Sequence, residues 1–179
     1  MVEKKFLKEI NRDMLLVDDT IEGLLAKMKS YAWDCGTGTG QIANELIKDF
    51  EVVEATDISK SQLQEATKHN RINYSLQPAE KTNFPNNFFD LIIVDQAIHW
   101  FNFDEFYKEV NRTLKPGGHI IVVGYNRSQI TPEVDNIITE LYINLLGEFW
   151  DKERKYIDEN YSTIPFPFEE IETPQLHNM

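Results

Sequence analysis

The chain has 179 residues, the size of one domain, and 41% of them are hydrophobic, which is enough to build a core. A net charge of −12 argues against a partner held by phosphate neutralisation, so no nucleic acid is expected, and a lone cysteine, Cys35, leaves neither an internal disulfide nor a thiolate metal site. No apolar run approaches the ~20 residues of a membrane helix, and MVEKKFLKEINRD at the N-terminus lacks the apolar segment of a signal peptide. The expected setting is therefore soluble and reducing, such as the cytoplasm, with no membrane partner.

In chain order, Leu15, Leu16, Ile21, Leu24, Leu25 and Met28 predict a helix over about 14–29. Tyr31 to Trp33 is a short strand entering Asp34-Cys35-Gly36-Thr37-Gly38-Thr39-Gly40, and Ile42, Ala43, Leu46, Ile47 and Phe50 then recur at helical spacing. Residues 51–57 form a second strand. Ser59 with Gln62 is a capping-box pattern that opens a helix to about Asn70. Ile72 to Leu76 is a third strand, and Phe89 to Val94 a fourth whose continuous apolar run suits burial on both faces. Phe103, Phe106, Tyr107, Val110 and Leu114 mark a helix that ends before Lys115-Pro116-Gly117-Gly118. Ile120 to Val123 is a fifth strand, and Thr131-Pro132 starts a helix that Gly147 ends. Alternating strands and helices indicate an α/β fold, a doubly wound, mainly parallel Rossmann-like sheet with helices on both faces.

In such sheets ligands bind beyond the carboxyl ends of the strands. Gly36, Gly38 and Gly40 lie there, between a strand and a helix, where glycine lets the backbone approach a ligand and the helix N-terminus offers free N–H groups. The bland alternative is a glycine-rich turn with no ligand. The alternate spacing departs from the dinucleotide pattern G-x-G-x-x-G, since Gln41 stands where the third glycine would be. Asp57 ends the second strand 21 residues after Gly36, the place of a carboxylate that accepts bonds from ribose hydroxyls. The lesser alternative is a capping aspartate near Ser59.

Four ordered segments carry a family likeness: WDCGTGTGQIA (33–43), EATDISKSQLQEA (54–66), PAEKTNFPNNFFDLIIVDQAIHWF (78–101) and LKPGG (114–118). Together they resemble the class I S-adenosylmethionine-dependent methyltransferases, and within them the methyltransferase type 11 group that includes trans-aconitate methyltransferase-like proteins. The likeness covers roughly residues 31–126. It implies S-adenosylmethionine as cofactor, with Asp34, Gly36, Gly38 and Gly40 around its methionine part. By the same likeness Asp57 holds the ribose, Ile58 packs on the adenine, and Ala79 and Glu80 border that ring. Asp95 and Gln96 line the cofactor after the fourth strand, and His99 and Trp100 border the pocket of the methyl acceptor. Two features depart from the family: Pro78 stands where many relatives are acidic, and residues 1–30 lack an Arg-Pro-x-Tyr-Pro-like segment. The family fold also continues into antiparallel sixth and seventh strands, which Ile164-Pro165-Phe166-Pro167-Phe168 only approaches. The expectation is one methyltransferase domain over 1–179, incomplete at its C-terminal strands.

A methyl group on a sulfonium is already activated, so positioning and desolvation can supply much of the catalysis, and a base is needed only if the acceptor must lose a proton. His99 is the candidate base, with a purely structural histidine as the competing reading. Trp100 and Tyr125 are the candidate acceptor contacts. The function read from the sequence is methyl transfer to a small-molecule carboxylate or hydroxyl. A non-catalytic cofactor-binding module and a nicotinamide-dependent oxidoreductase are the alternatives.

Overall fold

A computed structural model describes residues 30–125 and 130–171. The helix expected over 14–29 lies outside the described residues. Five strands run β1 (Tyr31–Cys35), β2 (Val52–Asp57), β3 (Ile72–Leu76), β4 (Phe89–Asp95) and β5 (Leu114–Val123). The helices are α1 (Gln41–Leu46), α2 (Lys60–Glu65), α3 (Phe103–Thr113), α4 (Pro132–Thr139) and α5 (Arg154–Asp158). The sheet order is β3-β2-β1-β4-β5, and every pairing is parallel. The winding reverses between β1 and β4, so the crevice of the switch point opens where Cys35 and Asp95 end their strands.

Side chains alternate between the two faces of the sheet, and both faces are covered. Trp33, Ile92, Val94, Ile120 and Val122 meet Phe106, Tyr107 and Val110 of α3 on one face. Ala32, Val53, Ala55, Leu91 and Ile93 meet Ala43, Leu46 and Phe50 on the other. Phe89 and Leu91 to Val94 are each less than a tenth exposed, as a central parallel strand with both faces covered requires. The indole N–H of Trp33 donates to Thr56 Oγ1 at 2.8 Å, which satisfies the one polar atom that this large side chain brings inside.

Of the boundaries that differ from the sequence reading, three have a visible cause. The helix opened by Ser59 ends at Glu65 rather than near Asn70, because Ala66 is already extended (ψ 136°) and the Lys68 ammonium caps the Leu63 carbonyl at 2.8 Å. Leu114, expected on α3, instead begins β5. Between Phe89↔Leu114 and Leu91↔His119 the ladder loses register, and residues 115–118 bulge out of it. Lys115 then reaches Asp90 at 2.7 Å, while the same carboxylate accepts the backbone N–H of Tyr31 at 3.0 Å, so the bulge is pinned to the central strands. Finally, α4 does not run to Gly147. It ends at Thr139, widens into a π-helical turn over Glu140–Leu145, and a 3₁₀ turn begins at Gly147. Ile164, Phe166 and Phe168 pack against the α3 face of the core without forming a strand.

Candidate cofactor and acceptor site

The loop after β1 is built from its own hydrogen bonds. The N–H groups of Gly36 and Thr37 both donate to the Thr56 carbonyl at 2.9 Å, which ties the loop to β2. Asp34 is 1% exposed, and one carboxylate oxygen accepts from Thr37 Oγ1 and from the Ala43 N–H at 2.9 Å. It thus closes the loop onto the first turn of α1. Burial raises the Asp34 carboxyl to about 7 despite these bonds, and the fields of Asp95 and Asp57 push the same way. Gly36, Gly38 and Gly40 all have positive φ. At Gly36 (φ 76°) a side chain is also excluded by space, because a Cβ would lie 2.6 Å from that of Ala97. The crevice between β1 and β4 is that narrow.

Asp57 answers the loop from β2. One oxygen accepts the Gly38 N–H at 2.8 Å and the other accepts the Ser59 N–H at 2.7 Å. Ser59 itself caps α2 by accepting from the Gln62 N–H at 3.4 Å. Asp57 therefore joins the glycine loop to the start of α2, which is more than a local cap. Beside it, Ile58 is 76% exposed, an apolar side chain held out at the carboxyl edge of the sheet. Ala79 is buried, and Glu80 accepts the backbone N–H of Asn102, the cap of α3, at 2.9 Å.

After β4 the backbone turns sharply. Gln96 adopts φ 51°, its N–H donates to the Val123 carbonyl at 2.9 Å, and its side-chain amide donates to the Tyr125 carbonyl at 3.0 Å. Ile98–Trp100 form a 3₁₀ turn, in which His99 is 5% exposed and Trp100 is 56% exposed. Burial lowers the His99 imidazole to about 4, with the Arg154 guanidinium acting in the same direction and Glu153 opposing it. Its Nδ1 lies 3.0 Å from the hydroxyl of Tyr161, a residue the sequence reading did not single out. Nothing in the spacing could have marked it, since Tyr161 is 62 residues away and follows a helix of only five residues. Tyr125 is half-exposed at the end of β5. The described residues hold no group of three or more His, Cys, Asp and Glu placed to bind a metal ion, and no helix among them is long and apolar enough to cross a membrane.

A 3-2-1-4-5 parallel sheet with a glycine loop after β1 and a carboxylate ending β2 defines the Rossmann-like nucleotide-binding enzymes. Within that class the family is decided by the match of residues 33–122 to the methyltransferase domain family known as type 11, and the chain belongs to that family. A solved structure of a provisionally assigned type II methyltransferase from Anaeromyxobacter dehalogenans is 36% identical. It superposes with a TM-score of 0.73 over 88% of this chain and 68% of that one. A provisionally assigned methyltransferase of Dictyostelium discoideum is 38% identical over 144 residues, which is 79% of this chain and 55% of that protein. A ubiquinone/menaquinone biosynthesis C-methyltransferase of a Shewanella species is 28% identical, covering 82% of this chain and 64% of its own. The chain thus spans between about half and two thirds of the length of these curated relatives. S-adenosylmethionine is the cofactor of this class of methyltransferases.

Proposed function

We propose that this protein transfers the methyl group of S-adenosylmethionine to a small-molecule acceptor, for which a carboxylate or hydroxyl is the candidate group. The observation that carries the reading is the bond from the Gly38 N–H to Asp57, which makes the glycine loop and the ribose carboxylate one rigid unit at the switch point. The residues present fit the cofactor. Asp57 and Asp95 end β2 and β4 on either side of β1 and place carboxylates where a sulfonium and an amino group would be held, and Ile58 offers an exposed apolar contact for a purine. When bound, S-adenosylmethionine supplies a methyl group already activated by the positive sulfur. Gly36, Gly38 and Gly40 would hold its methionine part, Asp57 the ribose, and Asp95 and Gln96 the side nearest the acceptor.

What remains for the chain is positioning, exclusion of water and proton handling. His99 stays neutral down to about pH 4, so at neutral pH it accepts a hydrogen bond or a proton and does not add a positive charge beside the cofactor. A base so weak cannot ionise a phenol beforehand. It takes the proton only as the oxygen attacks, and a carboxylate acceptor needs no base at all. Trp100 and Tyr125 supply aromatic surface at the same edge.

Thermal unfolding tests the cofactor. S-adenosylhomocysteine and S-adenosylmethionine raise the melting temperature by mass action, whereas NADH does not. A shift with NADH alone overturns the reading. Labelled S-adenosylmethionine with a panel of carboxylic acids and phenols then identifies the acceptor.

A further inference from the structure

The backbone carbonyl of Tyr125 and the side chains of Gln96, Tyr161 and His99 form one directed chain of hydrogen bonds. The Tyr125 backbone carbonyl can only accept, and Gln96 Nε2 lies 3.0 Å from it, so the amide nitrogen of Gln96 faces Tyr125. The amide oxygen, Oε1, then faces Tyr161, whose hydroxyl donates to it at 3.3 Å. A phenol has one proton. With that proton committed to Gln96, the Tyr161 oxygen meets His99 Nδ1 at 3.0 Å as an acceptor, and Nδ1 must carry the hydrogen.

Tyr161 is built in firmly for this purpose. It is 7% exposed, its N–H donates to the Tyr156 carbonyl at 2.7 Å, and its ring stacks on that of His99 with centroids 5.9 Å apart. The ring occupies the space over Gly124, where any Cβ would lie 2.1 Å from Cε2. Both Asn160 (φ 52°) and Tyr161 (φ 54°) hold left-handed backbone, a strained state for residues with side chains that persists where surrounding structure enforces it. Burial keeps the Tyr161 hydroxyl protonated well beyond its ordinary range, so the donor is never lost near neutrality.

We propose that Tyr161 is a positioning residue which, through Gln96 and the Tyr125 carbonyl, holds His99 as its Nδ1–H tautomer and leaves Nε2 as the nitrogen that receives the proton of the methyl acceptor. In that step the acceptor O–H bond breaks, its electron pair stays on oxygen, an N–H bond forms at Nε2, and the imidazole becomes an imidazolium. The assignment of Nε2 to the acceptor rests on the function proposed above; the tautomer does not.

The test is long-range ¹H–¹⁵N correlation spectroscopy of the full-length, ¹⁵N-labelled chain at pH 7, with the His99 signals assigned by their loss in His99→Gln. The wild type shows a pyrrole-like Nδ1 and a pyridine-like Nε2. Tyr161→Phe keeps the ring over Gly124 but removes the hydroxyl, and the ring reverts toward the mixture of free imidazole. Gln96→Met removes the acceptor of the phenolic proton, which then turns to Nδ1, so the two nitrogen signals exchange character. This second variant decides the matter if Tyr161→Phe does not fold. With an acceptor in hand, Tyr161→Phe lowers kcat about tenfold or more while the KM for S-adenosylmethionine moves less than about twofold. A wild type protonated at Nε2, or an unchanged His99 pattern in Gln96→Met, overturns the proposal. The expected spectra combined with unchanged turnover in His99→Ala support the tautomer and overturn only the base role of His99.

Discussion

Asp57, the last residue of β2, accepts the backbone N–H of Gly38 at 2.8 Å, so two segments 19 residues apart in sequence form the floor of one crevice. The parallel pairing of β1 with β2 brings Cys35 opposite Thr56 and delivers both segments to the same edge of the sheet. One carboxylate therefore ties the loop to α2 and, in the proposed reading, also holds the ribose.

Asp57→Ala removes the carboxylate from the loop and, in the proposed reading, from the ribose. Hydrogen bonds to charged groups contribute about 1.5–3 kcal/mol, so the affinity for S-adenosylhomocysteine is expected to fall roughly ten- to hundred-fold. Calorimetric titration of the folded variant checks this. An unchanged Kd would mean that another residue carries the ribose.

Gly36 and Gly117 have nearly the same φ, 76° and 77°, but different neighbours. Alanine at Gly117 meets nothing within 4 Å and should cost only the left-handed backbone, about 1–2 kcal/mol. Alanine at Gly36 carries the same cost plus the collision with Ala97, a further 1–3 kcal/mol or so, and should also abolish cofactor binding. Denaturant unfolding of the two variants measures the difference directly. Equal losses would show that the crevice opens freely.

The pH dependence of stability contains two opposed slopes. Asp34, raised to about 7, binds its proton more tightly in the folded state than in the unfolded chain, so stability is lost as pH rises from about 4 to 7. His99, lowered to about 4, binds its proton less tightly when folded, so its contribution is complete above about pH 6.5 and is lost as pH falls toward 4. Each amounts to a few kcal/mol, about 3–4, and they offset one another in the wild type. Asp34→Asn should be more stable than the wild type at pH 8 and similar to it at pH 4. His99→Gln should lose less stability than the wild type between pH 6.5 and 4. Parallel curves for wild type and variants would show that neither group is perturbed.

Trp100 and His99 are neighbours with opposite environments, 56% and 5% exposed. Trp100→Phe should leave the melting temperature within a few degrees and lower turnover with the acceptor, since little of the ring is in the core. His99→Ala should lower both turnover and stability, because it empties a buried site and removes one of the two hydrogen-bond partners of the Tyr161 hydroxyl. Cofactor affinity should hold in both. Rates normalised to folded protein separate the two effects. Preserved turnover in both variants would remove the pair from the acceptor site.

The parallel sheet, its strand positions and the glycine loop were legible in the sequence because they rest on local physics. Short apolar runs place the strands and period-3.6 apolar patterns the helices, and closely spaced glycines mark a backbone that must turn left-handed. The type 11 family was legible as a resemblance, carried by four short segments in fixed order, and the match over residues 33–122 bears it out. Boundaries set by contacts across the fold were not. Leu114 continues the helical period of α3 yet pairs with Phe89, and only the neighbouring strand decides that. Asp34 stands in the motif as a cofactor contact, and the folded chain shows its carboxylate bonded to Thr37 and Ala43 inside the loop. Tyr161 carries no local signal at all. Its hydroxyl reaches His99 because a glycine at 124 leaves room for its ring and α5 turns the chain back over the end of β5, and such a meeting across 62 residues exists only once the sheet has formed.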